Sequence, residues 1–167
     1  MNHLWAPWRL EYLTGPGAGG CVFCDCGGGA DDRASRIVGR SAVGFLILNR
    51  FPYNSGHLMA VPTRHVTRLD ALRSEEAQGL WHLVEVAVRA LERVMAPQGF
   101  NIGINVGLAA GAGFEHLHVH IVPRWAGDTN YMPVLGETKV LPEHLDQTYE
   151  RLAAAVAEVS DLAGGPR

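Results

Sequence analysis

The chain has 167 residues, 47% hydrophobic and 19% charged, with a formal net charge of −3. That length suits one domain with a sizeable core, and the charge balance argues against broad binding to a nucleic-acid backbone. No apolar run approaches the length of a membrane span, and Met1 to Trp5 lacks the basic start and apolar core of a secretory leader.

Residues 1–20 carry Trp5, Trp8 and Tyr12 and end in a glycine-rich run. They read as an aromatic arm, packed in the core or at a dimer contact, followed by a flexible link. Cys21-Val22-Phe23-Cys24 has the C-x-x-C spacing of a zinc knuckle, which is equally that of a redox pair or of two buried thiols. With Cys26 it makes three cysteines in six positions. That crowding is no disulfide framework and points to a reducing cytoplasm with a metal or redox role. Residues 27–35 read as a Gly/Asp-rich loop. Residues 37–40 and 43–48 read as two strands of a hairpin. After a turn-rich stretch, residues 57–61 form a third strand closed by Pro62.

Ser74 followed by Glu75 and Glu76 predicts a helix start, with Ser74 as the N-cap. Leu80, Leu83, Val84, Ala87, Val88, Leu91, Val94 and Met95 recur at helical spacing. They predict one long core helix over residues 74–96, stopped by Pro97 and Gly99. Residues 100–106 alternate as a strand. Residues 107–113 form a Gly/Ala loop, either a backbone nest for an anion or a plain turn. No Gly-Lys-Ser/Thr follows, so it is not a Walker A loop. A last helix is predicted over residues 141–159, with residues 160–167 frayed.

Between these last elements lies Glu115-His116-Leu117-His118-Val119-His120-Ile121-Val122-Pro123-Arg124. Alternation of period two predicts a strand with His116, His118 and His120 on one face, about 7 Å apart one to the next. Two chemistries want that pattern. Imidazoles on one strand can ligate a metal. Alternatively, one imidazole can attack phosphorus while its neighbours fix its tautomer and stabilise charge.

His116-Leu117-His118-Val119-His120-Ile121-Val122 resembles the signature of the histidine-triad (HIT) family of nucleotidyl hydrolases and transferases. Pro123-Arg124-Trp125-Ala126-Gly127-Asp128 is similar to the branch that includes bacterial diadenosine tetraphosphate phosphorylases. With the periodicities above, this points to an α+β HIT-like domain over residues 1–167. Its core is an antiparallel sheet of about five strands with the long helix and a C-terminal helix packed on it. The resemblance implies a homodimer acting on a dinucleoside polyphosphate, with His118 as nucleophile. The His116 carbonyl then holds the His118 tautomer, and His120 with the loop N–H groups at Gly111 and Gly113 stabilises the oxyanions. It places His57 beside the catalytic histidine, Asn49 at the ribose, Asn105 at the phosphate or ribose end, and Trp125 near the nucleotide or in simple packing. It also implies structural zinc on Cys21, Cys24, His65 and His116. The family often has Gln and Ser or Thr in the loop where this chain has Ala112 and Gly113, so backbone N–H groups, Asn105 and His120 must carry those contacts. Two other readings stay open: a zinc hydrolase using the triad as ligands of an open metal, and a nucleotide-binding regulatory protein with little turnover.

Overall fold

A computed structural model describes residues 20–128 and 143–163. The aromatic residues Trp5, Trp8 and Tyr12, the predicted helix start at Leu141 and Pro142, and residues 164–167 lie outside that range. Strands β1 (Ile37–Arg40), β2 (Gly44–Leu48), β3 (Leu58–Pro62), β4 (Gly99–Ile104) and β5 (Val119–Arg124) form one antiparallel sheet in the order β1-β2-β3-β5-β4. The helices are α1 (Val22–Gly28), α2 (Asp32–Ser35), α3 (Ser74–Met95) and α4 (Leu145–Ala163).

Alternation along the strands divides the sheet into two faces. Leu46, Leu48, Leu58, Ala60, Val119 and Ile121 meet the apolar stripe of α3 (Leu80, Leu83, Val84, Ala87 and Leu91) and Leu152, Val156 and Val159 of α4. Each fully buried leucine there contributes about 1.5–3 kcal/mol. Helix α4 lies close on β1, where a Cβ on Gly39 would come within 2.6 Å of Val156 Cγ1. The opposite face carries Ile37, Phe45, Ile47, Met59 and Val61, and it is covered by Phe23 of α1.

Four expectations need correction. Residues 27–35 are not all loop: α1 runs to Gly28, and the Asp31 carboxylate caps α2 by accepting the Ala34 N–H at 2.9 Å. Ser74 is the first helical residue of α3 rather than its cap. The Arg73 N–H donates instead to the Glu76 carboxylate at 2.8 Å, and Arg64 grips that carboxylate with two N–H groups. The last helix does not end at residue 159: α4 continues to Ala163, with Val159 buried in the core. The triad is only partly on a strand, since β5 starts at Val119. Just before it the Leu117 N–H bonds the Val66 carbonyl at 2.6 Å, which draws the chain out of the ladder.

Candidate active site and metal cluster

Strand β5 lies between β3 and β4, with His120 opposite both Met59 and Gly103. His120 therefore sits on the sheet face that α1 covers. Phe23 packs against both preceding histidines, with ring centroids 5.1 Å from His118 and 5.7 Å from His116. The rings of His118 and His120 meet edge to face at 4.7 Å.

Hydrogen bonds fix how each imidazole is protonated. His118 Nδ1 donates to the His116 carbonyl at 2.8 Å, as the family resemblance implies. A carbonyl only accepts, so in the neutral ring the Nε2 of His118 carries the lone pair. His57 works in the opposite sense. Its Nδ1 accepts the Tyr53 N–H at 3.1 Å and faces Asn49 Nδ2 at 3.3 Å. The His57 proton is thus on Nε2, which donates to His120 Nδ1 at 3.0 Å. That leaves His120 with its proton on Nε2. The relay leaves one imidazole with a lone pair on Nε2 and its neighbour with a proton there. His57 thus pairs with His120 rather than directly with His118.

Burial reinforces these neutral states. His57 is fully buried, and desolvation, helped by the neighbouring His120 and His118, pushes its pKa down to about 3. Burial also lowers the pKa of His118, against the opposing pull of the His116 carbonyl. Both rings stay uncharged at neutral pH, as a nucleophile and its relay require.

Cys21, Cys24, His65 and His116 converge, with one ligand atom from each within 4.8 Å of the others. Cys21 Sγ lies 3.2 Å from His116 Nδ1, and Cys24 Sγ lies 3.4 Å from His65 Nδ1 and 3.6 Å from His116 Nδ1. A tetrahedron built on metal bonds of about 2.0–2.3 Å has edges of about 3.3–3.8 Å, so the donor set fits zinc. His116 Nε2 donates to the Pro62 carbonyl at 2.9 Å, which leaves Nδ1 as the lone-pair nitrogen facing the thiols. This is the outer-shell bond that orients metal-bound histidines. His116 therefore serves the cluster with its ring and His118 with its carbonyl.

The remaining predicted residues take varied places. The Asn49 carbonyl oxygen accepts the Phe51 N–H at 2.9 Å, so this side chain shapes a turn as well as facing His57. Gly107 and Gly111 both adopt φ of +83°, where side chains are strained, and flank a 3-10 turn at Leu108–Ala110. The N–H of Gly111 is spent on the Leu108 carbonyl and that of Ala112 on Gly107. Gly111 thus supplies shape, while no described residue accepts from the Gly113 N–H. Asn105 reaches across the loop to the Gly111 carbonyl at 3.5 Å. The backbone N–H of half-buried Trp125 bonds Asp128 at 3.1 Å. Arg124 and that N–H hold the Asp128 carboxyl well below the usual range.

Sequence reasoning missed Tyr53, Phe23 and Pro62. Tyr53 stacks on His57 at 4.9 Å and sets its tautomer through a backbone N–H, which side-chain identity does not reveal. Phe23 had a visible signal, as an aromatic inside the C-x-x-C.

A domain model described as "HIT domain" matches residues 31–127, a span that holds all three triad histidines, His57 and His65. The chain is 38% identical over 166 residues to an AP-4-A phosphorylase of Mycobacterium tuberculosis, covering 92% of this chain and 83% of that protein. It is 33% identical over 131 residues to a bis(5'-adenosyl)-triphosphatase of Dictyostelium discoideum, covering 78% of this chain and 87% of that one. Among solved structures, a zinc-bound histidine triad family protein from Mycobacterium smegmatis superposes with a TM-score of 0.71 at 26% identity. The match covers 87% of this chain and 99% of that one. A histidine motif, a five-stranded sheet and a domain match that agree over the same residues make this chain a member of the HIT family.

Proposed function

We propose that the chain is an enzyme that cleaves dinucleoside polyphosphates through a nucleotidyl intermediate on His118. The observation that carries this reading is the 2.8 Å bond from His118 Nδ1 to the His116 carbonyl, which leaves the lone pair on Nε2. In the first step Nε2 bonds to the α-phosphorus. The bridging P–O bond breaks, and its oxygen leaves with the electron pair and the proton of His120 Nε2. Water or inorganic phosphate then takes the nucleotidyl group, and the pair returns to His118. The names of the mycobacterial and Dictyostelium relatives support this substrate class. Contacts from Asn49, Asn105, Gly111, Gly113 and Trp125 to the bound nucleotide belong to the same proposal.

Zinc on Cys21, Cys24, His65 and His116 is structural in this reading, because a closed four-ligand site keeps no position for water. An open metal on the triad has less support: among the described residues His118 and His120 belong to no metal-like group. We also read the protein as a cytoplasmic homodimer. Its three cysteines are free thiols, and Ile102 on the edge strand β4 and Trp81 on α3 leave apolar surface exposed. Among the described residues no helix is long and apolar enough to cross a membrane. Light scattering should give twice the chain mass of 18.1 kDa.

The decisive experiment is product analysis with diadenosine tetraphosphate, with and without inorganic phosphate. Phosphorolysis gives ADP plus ATP, whereas hydrolysis proceeds without phosphate. Binding without multiple turnover under either condition would replace the enzyme reading with a regulatory one.

A further inference from the structure

Asp128 places a charge in a turn that closes without it. The Asp128 N–H already bonds the Trp125 carbonyl at 3.1 Å, and Gly127 makes the bend with φ of +78°. Yet the Asp128 side chain is only 10% exposed and draws donors from several directions. Arg124 Nε and Nη2 reach its two oxygens at 2.6 and 2.8 Å. The Trp125 N–H adds a bond at 3.1 Å and the Asn54 amide one at 2.7 Å. Desolvation offsets much of the attraction in such a pair, so stability alone is a weak reason for it. Holding one orientation of a neighbour is a better one, since hydrogen bonds to a charged group are the strong ones.

The neighbour is Asn54, which lies outside the turn, in the loop between β2 and β3. Its side chain is buried, and its Nδ2 donates to the Pro123 carbonyl at 3.0 Å as well as to Asp128. Both partners only accept, so the amide has one orientation. The loop anchored at this point is folded around His57. The His57 N–H bonds the Asn54 carbonyl at 3.1 Å, and the Tyr53 N–H bonds His57 Nδ1 at 3.1 Å. The residue beside the anchor thus supplies the donor that keeps the His57 proton on Nε2. Asn49 Nδ2 faces the same Nδ1 from 3.3 Å, the longer of the two contacts.

Resting on the nucleotidyl-His118 reading, we propose that Asp128 and Asn54 are positioning residues for the proton that His120 delivers. Asp128, gripped by Arg124, fixes the Asn54 amide. Asn54 fixes the chain at Tyr53, and the Tyr53 N–H fixes the tautomer of His57. The His57 Nε2–H then makes His120 Nδ1 an acceptor, which leaves the His120 proton on Nε2. In the step this serves, His118 Nε2 bonds to phosphorus and the bond from phosphorus to the leaving atom breaks. That atom departs with the electron pair and the His120 proton. With the brace lost, His57 also carries its proton on Nδ1, and His120 Nδ1 loses the donor that kept its own proton on Nε2. Asn49 still faces the His57 ring, so delivery is impaired rather than abolished.

Leaving groups that differ in their need for that proton test the brace in the full chain. Adenosine 5′-phosphoramidate expels ammonia, whose nitrogen must be protonated as the P–N bond breaks. The p-nitrophenyl ester of AMP expels a phenolate that is stable without a proton. Asn54→Ala and Asp128→Ala should each lower kcat on the phosphoramidate about tenfold, part of what a general acid contributes, and change kcat on the ester by less than about twofold. The double variant should be no slower than either single one, because both act along one path. Asp128→Asn, which keeps an oxygen for the Asn54 amide, should recover most of the loss. Nitrogen-15 NMR of histidine-labelled protein should find the His57 proton on Nε2 in wild type and shared between both nitrogens in Asn54→Ala. If Asn54→Ala does not fold, Asn54→Ser carries the same comparison. Equal losses on the two substrates, additive losses in the double variant, or an unchanged His57 tautomer would each overturn the proposal. If the wild-type chain turns over neither substrate, the nucleotidyl-His118 reading fails, and the NMR comparison still decides whether the brace sets the tautomer.

Discussion

Acid should unfold this protein through His57. The ring is fully buried, accepts the Tyr53 N–H and donates to His120. Its pKa falls from 6.5 in the unfolded chain to about 3 in the folded one. A depressed histidine pKa means that the unfolded state binds the proton more readily. Its stabilising contribution is therefore complete above pH 6.5 and is lost as pH falls toward 3. Each unit in that window costs about 1.4 kcal/mol, so lowering pH from 7.5 to 5 should cost about 2 kcal/mol. That is a large part of a typical stability of about 5–15 kcal/mol. His57→Phe keeps a ring of similar volume but cannot titrate. At pH 7.5 it should be less stable than wild type by about 1–3 kcal/mol, because the Tyr53 N–H loses its acceptor. Urea unfolding at both pH values should show that gap closing by about 2 kcal/mol at pH 5. His116 and His118 titrate in both proteins and cancel in the comparison. Parallel pH dependence in the two proteins, or an NMR signal from protonated His57 in the folded state at pH 5, would refute this reasoning.

His118→Ala should abolish turnover while keeping fold and metal. Denaturant quench with α-phosphate label should leave acid-labile label on wild type only, and label on the variant would move the nucleophile elsewhere. Cys24→Ser should lose zinc and several kcal/mol of stability, since metal affinity at such a site is folding free energy. Stoichiometric zinc retained in a Cys21/Cys24 double variant would remove these ligands. Gly39→Ala should force Val156 away from β1, where the new Cβ would sit at 2.6 Å, and cost about 1–3 kcal/mol by overpacking. Calorimetry should read this as a fall of several degrees in Tm, and an unchanged Tm would mean that α4 shifts freely.

Helical spacing located α3, alternation located β4 and β5, and short runs between turns located β1, β2 and β3, of which β2 and β3 are buried on both faces. What the sequence hid was the work of backbone atoms. Nothing in the letters shows that the Tyr53 N–H orients His57 or that the Pro62 carbonyl orients His116. The even alternation of residues 115–124 also concealed that the strand begins only at Val119. Leu117 obeys the pattern, yet its N–H goes to Val66 rather than into the sheet. The glycine-rich loop was legible as a tight turn, but not which N–H groups the turn itself consumes. The C-x-x-C was read without its helix, since a seven-residue segment with two cysteines and two glycines carries no periodic stripe.

The strand order carries a consequence for how the chain is made. Among the described residues, strand β4 pairs only with β5, and β5 is the last strand in chain order. A ribosome adds about 5–20 residues per second. Cys21 and His116 are 95 positions apart, so the thiols wait about 5–19 s for their last ligand at that pace. Over the same interval β4 has no neighbour, and His57 has no His120 to receive its proton. One stretch of ten residues then closes the metal cluster, the sheet and the imidazole relay together. A nascent chain stalled before residue 116 should hold exposed, alkylatable thiols. One released after residue 124 should protect them as zinc is taken up.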